Sequence, residues 1–473
     1  MRSIKCSDFK DNIRKVLPHL KGIILIIFFP LCTYQIGFSQ VQSLENTIPE
    51  LSIDLKNEMI KEIAKLIEEN YVFPDIGEEI SEYILKRNQE KAYADIGNLK
   101  EFIRTINKDL QVINNDGHLG LVERRGSPQS GVSQEEMIKQ FFLKQSYFQN
   151  FGFKKVDRLA GNIGYLVLDE FSYLKIDGEN VGEETAKAVM KVISNTYGLI
   201  IDLRDNIGGR EEMAMLLLDY LFENPTHILT NLNKEGNDKQ IWTTSDHQEG
   251  HLSEIPIFVL TSQHTVSGGE MFAYVLKNRK RAMVIGEKTR GAAHKTHLFS
   301  LQSFGIDLAI PLSTIIDPVT GTDWEGKGVE PDIPVSSGKA MNVAYKMALE
   351  EIKQGNIDEI ALNEINWALM EVDANIYPIL LDEPTIREYI GVFEDRKFFV
   401  SNGVLSYQKM DQPVFELAPM SKDLFSFVDL GMFYVRIKFG RDRFGEIEKM
   451  FMIYDNGKEM KYLKTMDNDK SVK

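Results

Sequence analysis

Thr265-Val266-Ser267-Gly268-Gly269-Glu270 decides how this chain is read. Before it runs Ile255 to Leu260 (IPIFVL), an apolar stretch that predicts a buried strand. After it, Met271-Phe272-Ala273-Tyr274-Val275-Leu276 predicts the first turns of a helix. A serine followed by two glycines at a strand-to-helix corner sits on a tight turn, its hydroxyl outward and the helix-start N–H groups beside it. A serine nucleophile needs that arrangement. The same residues also suit a plain helix N-cap on Thr265 or Ser267, so the segment has to find partners elsewhere in the chain.

Strand and helix signals alternate on both sides of this corner. Gly164 to Leu168, Gly198 to Leu203 and Ala282 to Gly286 predict strands, and Thr185 to Thr196 and Met213 to Leu221 predict helices. Alternation of this kind implies an α/β layered core. Pro311 to Pro334 is loop-like, and a helix from Lys339 to Gln354 closes the core. Residues 41 to about 125 read mainly as helices. Leu55, Met59, Ile60, Ile63, Leu66 and Ile67 recur at helical spacing, a second helix follows Pro74, and a third covers Leu99 to Leu110. That segment ends in the turn-rich Asn114-Asn115-Asp116-Gly117-His118. Residues 355–385 form a connector with a short helix. From Tyr389 onward short β runs recur, punctuated by Asn402-Gly403 and Asn456-Gly457, which predicts a small antiparallel β domain, barrel or sandwich. The organisation expected is a signal peptide (1–40), a helical N-terminal segment (41–125), an α/β core (126–354), the connector (355–385) and a β-rich C-terminal domain (386–473).

The first forty residues combine a basic start, the apolar run Gly22 to Leu31 and a polar, small-residue end at Gly37 to Gln40, the pattern of a secretory signal peptide. Export, to a periplasm or cell surface, is the expectation, with no stable membrane insertion after signal removal. Both cysteines, Cys6 and Cys32, fall in this segment, so the remainder has no disulfide and no cysteine nucleophile. The formal net charge of −15 argues against nucleic acid and anionic membrane surfaces as partners. The eight histidines form no metal-ligand pattern, and neither a metal nor another cofactor is expected.

Serine attacks a carbonyl at neutral pH only with a base, a group that orients the base, and donors for the oxyanion. Four segments offer these parts: Asp116-Gly117-His118; Asp202-Leu203-Arg204-Asp205-Asn206-Ile207-Gly208-Gly209; the serine segment; and Asp323-Trp324-Glu325-Gly326-Lys327-Gly328-Val329-Glu330-Pro331-Asp332. In this order they resemble the S41 family of serine peptidases, which includes the C-terminal processing proteases, the tricorn core protease and the interphotoreceptor retinoid-binding protein modules. The resemblance covers about residues 50 to 340 and implies a crotonase-like α/β core behind a helical segment. Two departures set the subtype. About forty residues separate His118 from Asn162, too few for the PDZ domain many processing proteases carry. Their lysine base sits in Gly-Glu-x-Thr-x-Gly-Lys, whereas this chain reads Gly286-Glu287-Lys288-Thr289-Arg290-Gly291-Ala292.

The tricorn-like branch uses Ser-His-Glu instead. That resemblance implies Ser267 as nucleophile, His118 as base and Glu325 as the orienting carboxylate, with oxyanion donors from Gly268 and from Gly208 or Gly209. His294 is the rival base or a pocket residue, Arg204 a pocket residue or a brace on Asp202, and Glu270 a pocket or structural residue near the helix start. The function implied is hydrolysis of peptide bonds in polypeptide substrates. The alternatives are a catalytically silent binding module on the same fold, for a peptide or an apolar small molecule, and a crotonase-like acyl-CoA enzyme, which export disfavours. Oligomeric state is not legible.

Overall fold

The computed structural model describes residues 51–123, 143–244, 252–428 and 435–465; the expected signal peptide lies outside them. At the centre a six-stranded sheet has the order Ile333–Pro334, Met283–Gly286, Ile257–Thr261, Gly198–Asp202, Ile163–Leu168, Phe153–Leu159. All neighbours run parallel except the last pair, a hairpin. Gly198–Asp202 and Ile257–Thr261 are buried at every residue, as continuous apolar strands covered on both faces must be. One face carries helices Val181–Ile193, Glu211–Asp219 and Gly268–Asn278. The other carries Ser337–Lys353, which settles through Ala340, Ala344 and Ala348, and behind it Glu359–Ile376. The first two helices begin earlier than their apolar periodicity predicts. Their first turns hold Glu183, Glu184, Glu211 and Glu212, charges that complement a helix N-terminus.

A second sheet, not anticipated from sequence, joins Gly120–Glu123, Ile306–Ile316, His227–Asn233 and Lys239–Trp242, with Lys295–Leu301 paired to Ile306–Ile316. The part of the chain read as loop from Pro311 therefore starts inside a strand. Pro311 is tolerated there because the register shifts between Pro311 and Ser313, and its carbonyl turns to accept from Val72 N–H at 2.9 Å. Three N-terminal helices, Ile53–Asn70, Pro74–Gln89 and Leu99–Leu110, bury Ile60, Ile63, Ile67, Phe102 and Ile106 against Leu121, Ile306, Leu308 and Ile310 of this sheet.

The connector holds an 18-residue helix, Glu359–Ile376, longer than expected. Arg436 fastens it to the C-terminal domain, stacking 3.8 Å above the Trp367 ring and donating to the Trp367 carbonyl at 2.6 Å. That domain is an eight-stranded meander from Gly391–Phe393 to Glu459–Leu463. Phe393 bridges Lys464, and Thr465 N–H donates to the Val392 carbonyl, so first and last strands meet and the sheet closes as a barrel. Its interior is filled by Tyr389, Phe393, Phe398, Phe425 and Phe439. Asn402 and Gly403 both take positive φ, the hairpin turn their sequence predicts.

Candidate active site

Ser267 lies at the corner between Ile257–Thr261 and Gly268–Asn278 with φ 52° and ψ −114°. A non-glycine residue in such a conformation costs about 1–3 kcal/mol and persists only where its surroundings impose it. Here Thr265 donates its hydroxyl to the Leu203 carbonyl (2.7 Å), and Val266 N–H donates to the Asn206 carbonyl (3.0 Å). Ser267 N–H donates to the Glu270 carboxylate at 2.9 Å. Glu270 is wholly buried and takes three more donors: the Thr289 hydroxyl (2.6 Å), Gly291 N–H (2.6 Å) and Ala292 N–H (2.8 Å). Burial pushes its carboxyl above the usual range, against the pull of these donors. The corner is thus secured chiefly by Glu270, through its grip on the serine backbone and on the loop 289–292.

The loop after Gly198–Asp202 closes on this corner. Asn206 is fully buried, donating its amide to the Leu168 carbonyl (3.0 Å) and accepting Gly208 N–H (2.8 Å). A methyl group on Gly208 (φ 91°) would stand 2.8 Å from Ser267 Cβ, and one on Gly209 (φ 127°) 2.1 Å from the Phe171 carbonyl oxygen. Only glycine fits either place. The two expected oxyanion glycines are not equivalent, because Gly208 commits its N–H to Asn206. Gly209 N–H and Gly268 N–H have no acceptor among the described residues, and a Cβ on Gly268 would lie 3.3 Å from Gly209 N.

A second wall comes from the flanks of the second sheet. His118 lies just ahead of Gly120–Glu123, and its Nδ1 is 3.1 Å from both Glu325 carboxylate oxygens. Glu325 also accepts Ala293 N–H (2.6 Å) and His294 N–H (3.1 Å). The loop 289–294 thereby grips both carboxylates, Glu270 beneath the serine and Glu325 behind the histidine. His294 is buried with Nδ1 2.7 Å from Asp116 Oδ2 and Nε2 3.3 Å from Asp323 Oδ2. Burial opposes its charge, but the two carboxylates outweigh burial and hold it up at about 10. With both ring nitrogens turned to carboxylates, His294 as placed offers no nitrogen to a serine hydroxyl. Asp116 and Asp323 are in turn held below the usual carboxylate range, where hydrogen bonds from His294 overcome the cost of burial.

Ser267 and His118 are brought to two sides of one loop without a hydrogen bond between them. Of the roles open to His294, Arg204 and Glu270, the contacts are those of buried or bracing residues. His294 and Glu270 are buried, and Arg204 grips Asp202 with Nε (2.8 Å) and Nη2 (2.6 Å) while donating to the Ser337 carbonyl (2.7 Å). Lys288 pairs with Glu330 at the surface, Lys295 pairs with Glu211, and Ala292 stands where a lysine base would. His264 is largely exposed, 3.9 Å from Asp205. Asp116, His294 and Glu325 bring potential ligand atoms within 4.8 Å of one another, but His294 Nδ1 sits at hydrogen-bond distance from Asp116, which requires a proton between them.

Sequence reasoning assigned no role to Asp116, Asp323 or Asn206. The signal was present for the first two. Asp116-Gly117-His118 and Asp323-Trp324-Glu325 share one spacing, and each aspartate accepts the N–H two residues on, at 2.9 and 3.0 Å.

Residues 162–335 match Peptidase family S41, and residues 37–147 match the N-terminal domain of Peptidase_S41 in eukaryotic IRBP. The chain is similar to carboxyl-terminal-processing peptidase 1, chloroplastic, of Arabidopsis thaliana (28% identical, over 38% of this chain and 35% of that protein). It is also similar to a carboxy-terminal-processing protease of Bartonella bacilliformis (30% identical, over 38% of this chain and 40% of that protein). The chain thus spans well under half the length of either relative. Among solved structures it resembles a photosystem II D1 C-terminal processing protease at 15% identity and TM-score 0.40, over 60% of this chain and 93% of that one. Among the described residues no helix is long and apolar enough to cross a membrane. By the matches over its core and its N-terminal segment, the chain belongs to peptidase family S41.

Proposed function

We propose that this protein is an exported serine peptidase that hydrolyses peptide bonds of polypeptides through Ser267, His118 and Glu325. The observation that carries the reading is the His118–Glu325 pair, both oxygens 3.1 Å from Nδ1, held on the loop that also anchors the serine corner. With Nδ1–H donated to Glu325, the tautomer leaves Nε2 as a lone-pair acceptor. His118 takes the Ser267 proton as Oγ attacks the scissile carbonyl, and returns it to the leaving amine. Glu325 stabilises the imidazolium formed between those steps. The N–H groups of Gly209 and Gly268 receive the oxyanion. In a free enzyme the serine–histidine bond is often open and tightens with substrate bound. Export rests on the signal-like residues 1–40.

One observation favours the silent binding module: Ser267 and His118 share no hydrogen bond, the histidine ring being engaged by Glu325 and the serine backbone by Glu270. A peptide library digested by the mature protein and by Ser267→Ala, read by mass spectrometry, separates the two. Cleavage products are expected from wild type alone. Equal products from both proteins, or none from a folded wild type, would overturn the peptidase reading.

A further inference from the structure

We propose that His294 is a positioning residue, a buried cation that fastens together the two aspartate turns presenting His118 and Glu325. The proposal rests on the assignment of that pair as base and orienter.

Three segments distant in sequence meet here. Asp116 closes the helical segment, Asp323 follows the strand Ile306–Ile316, and His294 ends the loop that grips Glu270. Each aspartate divides its oxygens in the same way. Oδ1 holds the backbone of the residue two positions on, His118 N–H at 2.9 Å and Glu325 N–H at 3.0 Å. Oδ2 faces one ring nitrogen of His294. The remaining capacity of Oδ2 is filled by the Tyr71 hydroxyl (2.7 Å) on Asp116 and by the Thr314 hydroxyl (2.8 Å) on Asp323. A carboxylate only accepts, so both His294 nitrogens donate and the ring carries a full charge. The backbone N–H of His294 completes the arrangement on Glu325 Oε2.

Charge explains why a cation is needed. Asp116, Asp323 and Glu325 are three carboxylates in one largely buried cluster, with side-chain exposures of 0%, 15% and 8%. Among the described residues no lysine or arginine pairs with any of them. Without His294 the three repel one another in surroundings that screen poorly, and the two turns lose their shared anchor. Glutamine, of similar length, carries its donors on one nitrogen and cannot span both aspartates. His118 and His294 are 6.2 Å apart, centroid to centroid, so His294 acts through its partners and does not touch the reacting atoms.

The test compares wild type with His294→Gln in the full mature chain. It measures kcat and KM on a peptide the wild type cleaves, and follows the His118 Nδ1–H resonance in protein carrying ¹⁵N-labelled histidine. His294→Gln is expected to lower kcat on the order of 10²-fold, the scale of a misplaced catalytic group, with KM changed by less than about twofold. The His118 resonance should shift or vanish. Added to Glu325→Gln, the substitution should cost less than about threefold more, because both act through one pair. The proposal is overturned if His294→Gln keeps kcat within about threefold of wild type. It is equally overturned if activity falls only in step with the unfolded fraction while the His118 resonance stays in place. If Ser267→Ala and His118→Ala leave hydrolysis intact, the peptidase reading fails, and the resonance still decides whether His294 positions His118.

Discussion

The two walls of the candidate site are built on opposite principles. On the side of the parallel sheet, Ser267, Gly208 and Gly209 sit at positive φ, and Gly209 and Gly268 present backbone N–H groups without an acceptor among the described residues. On the side of the second sheet none of the five charged or titratable residues takes a positive φ, and the work falls to charge: His118, Glu325, His294, Asp116 and Asp323 saturate one another in a largely buried cluster. Strain places Ser267 and electrostatics places His118. The first wall should therefore respond to changes of shape and the second to changes of charge.

The sharpest way to break that contrast is at Ser267. Ser267→Ala should lower turnover by about 10⁴–10⁶-fold, whereas Ser267→Gly, equally inactive, should be the more stable of the two by about 1 kcal/mol because glycine accepts φ 52° without strain. Urea denaturation of the pair measures this. Equal stabilities would remove strain from the account. On the charged wall, Glu325→Gln keeps the shape and removes the charge. Turnover should fall by about 10²–10⁴-fold, with the far-UV circular dichroism unchanged.

The first wall was largely legible in the sequence and the second only in part. A Thr-x-Ser-Gly-Gly corner and a paired glycine declare a tight backbone whatever surrounds them, so Ser267, Gly268 and the glycine pair stand out from local residue types alone. The charged wall comes from three places far apart in the chain. Sequence motifs supplied His118 and Glu325, but nothing local to His294 says that both of its nitrogens will meet aspartates. The second sheet was missed for a related reason: its longest strand runs through Pro311, which reads as a breaker unless the register shift beside it is known. The barrel was legible as β structure from its turn signals, but the Phe393–Lys464 contact that closes it joins residues far apart in the chain.

Alkali should dismantle the charged wall alone, whereas acid also reaches Glu270 beneath the serine. His294 is lifted from 6.5 to about 10, so the folded protein keeps a proton the unfolded chain has released between those values. Its stabilisation is whole below 6.5 and is lost as pH rises through 10. Asp116 and Asp323 sit below 3.8, and their contribution, present above that value, is lost as pH falls. Wild type and His294→Gln should therefore differ most in urea midpoint near neutrality and converge at both extremes. A constant difference across pH would contradict the assigned charges.

The smallest effect on chemistry is expected outside both walls. Phe398→Ala in the barrel interior should destabilise that domain by about 3–5 kcal/mol and leave kcat/KM within about twofold at temperatures where the barrel stays folded. A larger loss of activity would tie the barrel to the site.

Whether Ser267 is activated is decided by fluorophosphonate labelling of the mature protein, read by intact mass, beside Ser267→Ala and His118→Ala. If His118 activates Ser267, wild type takes one adduct and neither variant takes any. A folded wild type that takes no label, or a His118→Ala protein that labels as fast as wild type, would contradict it.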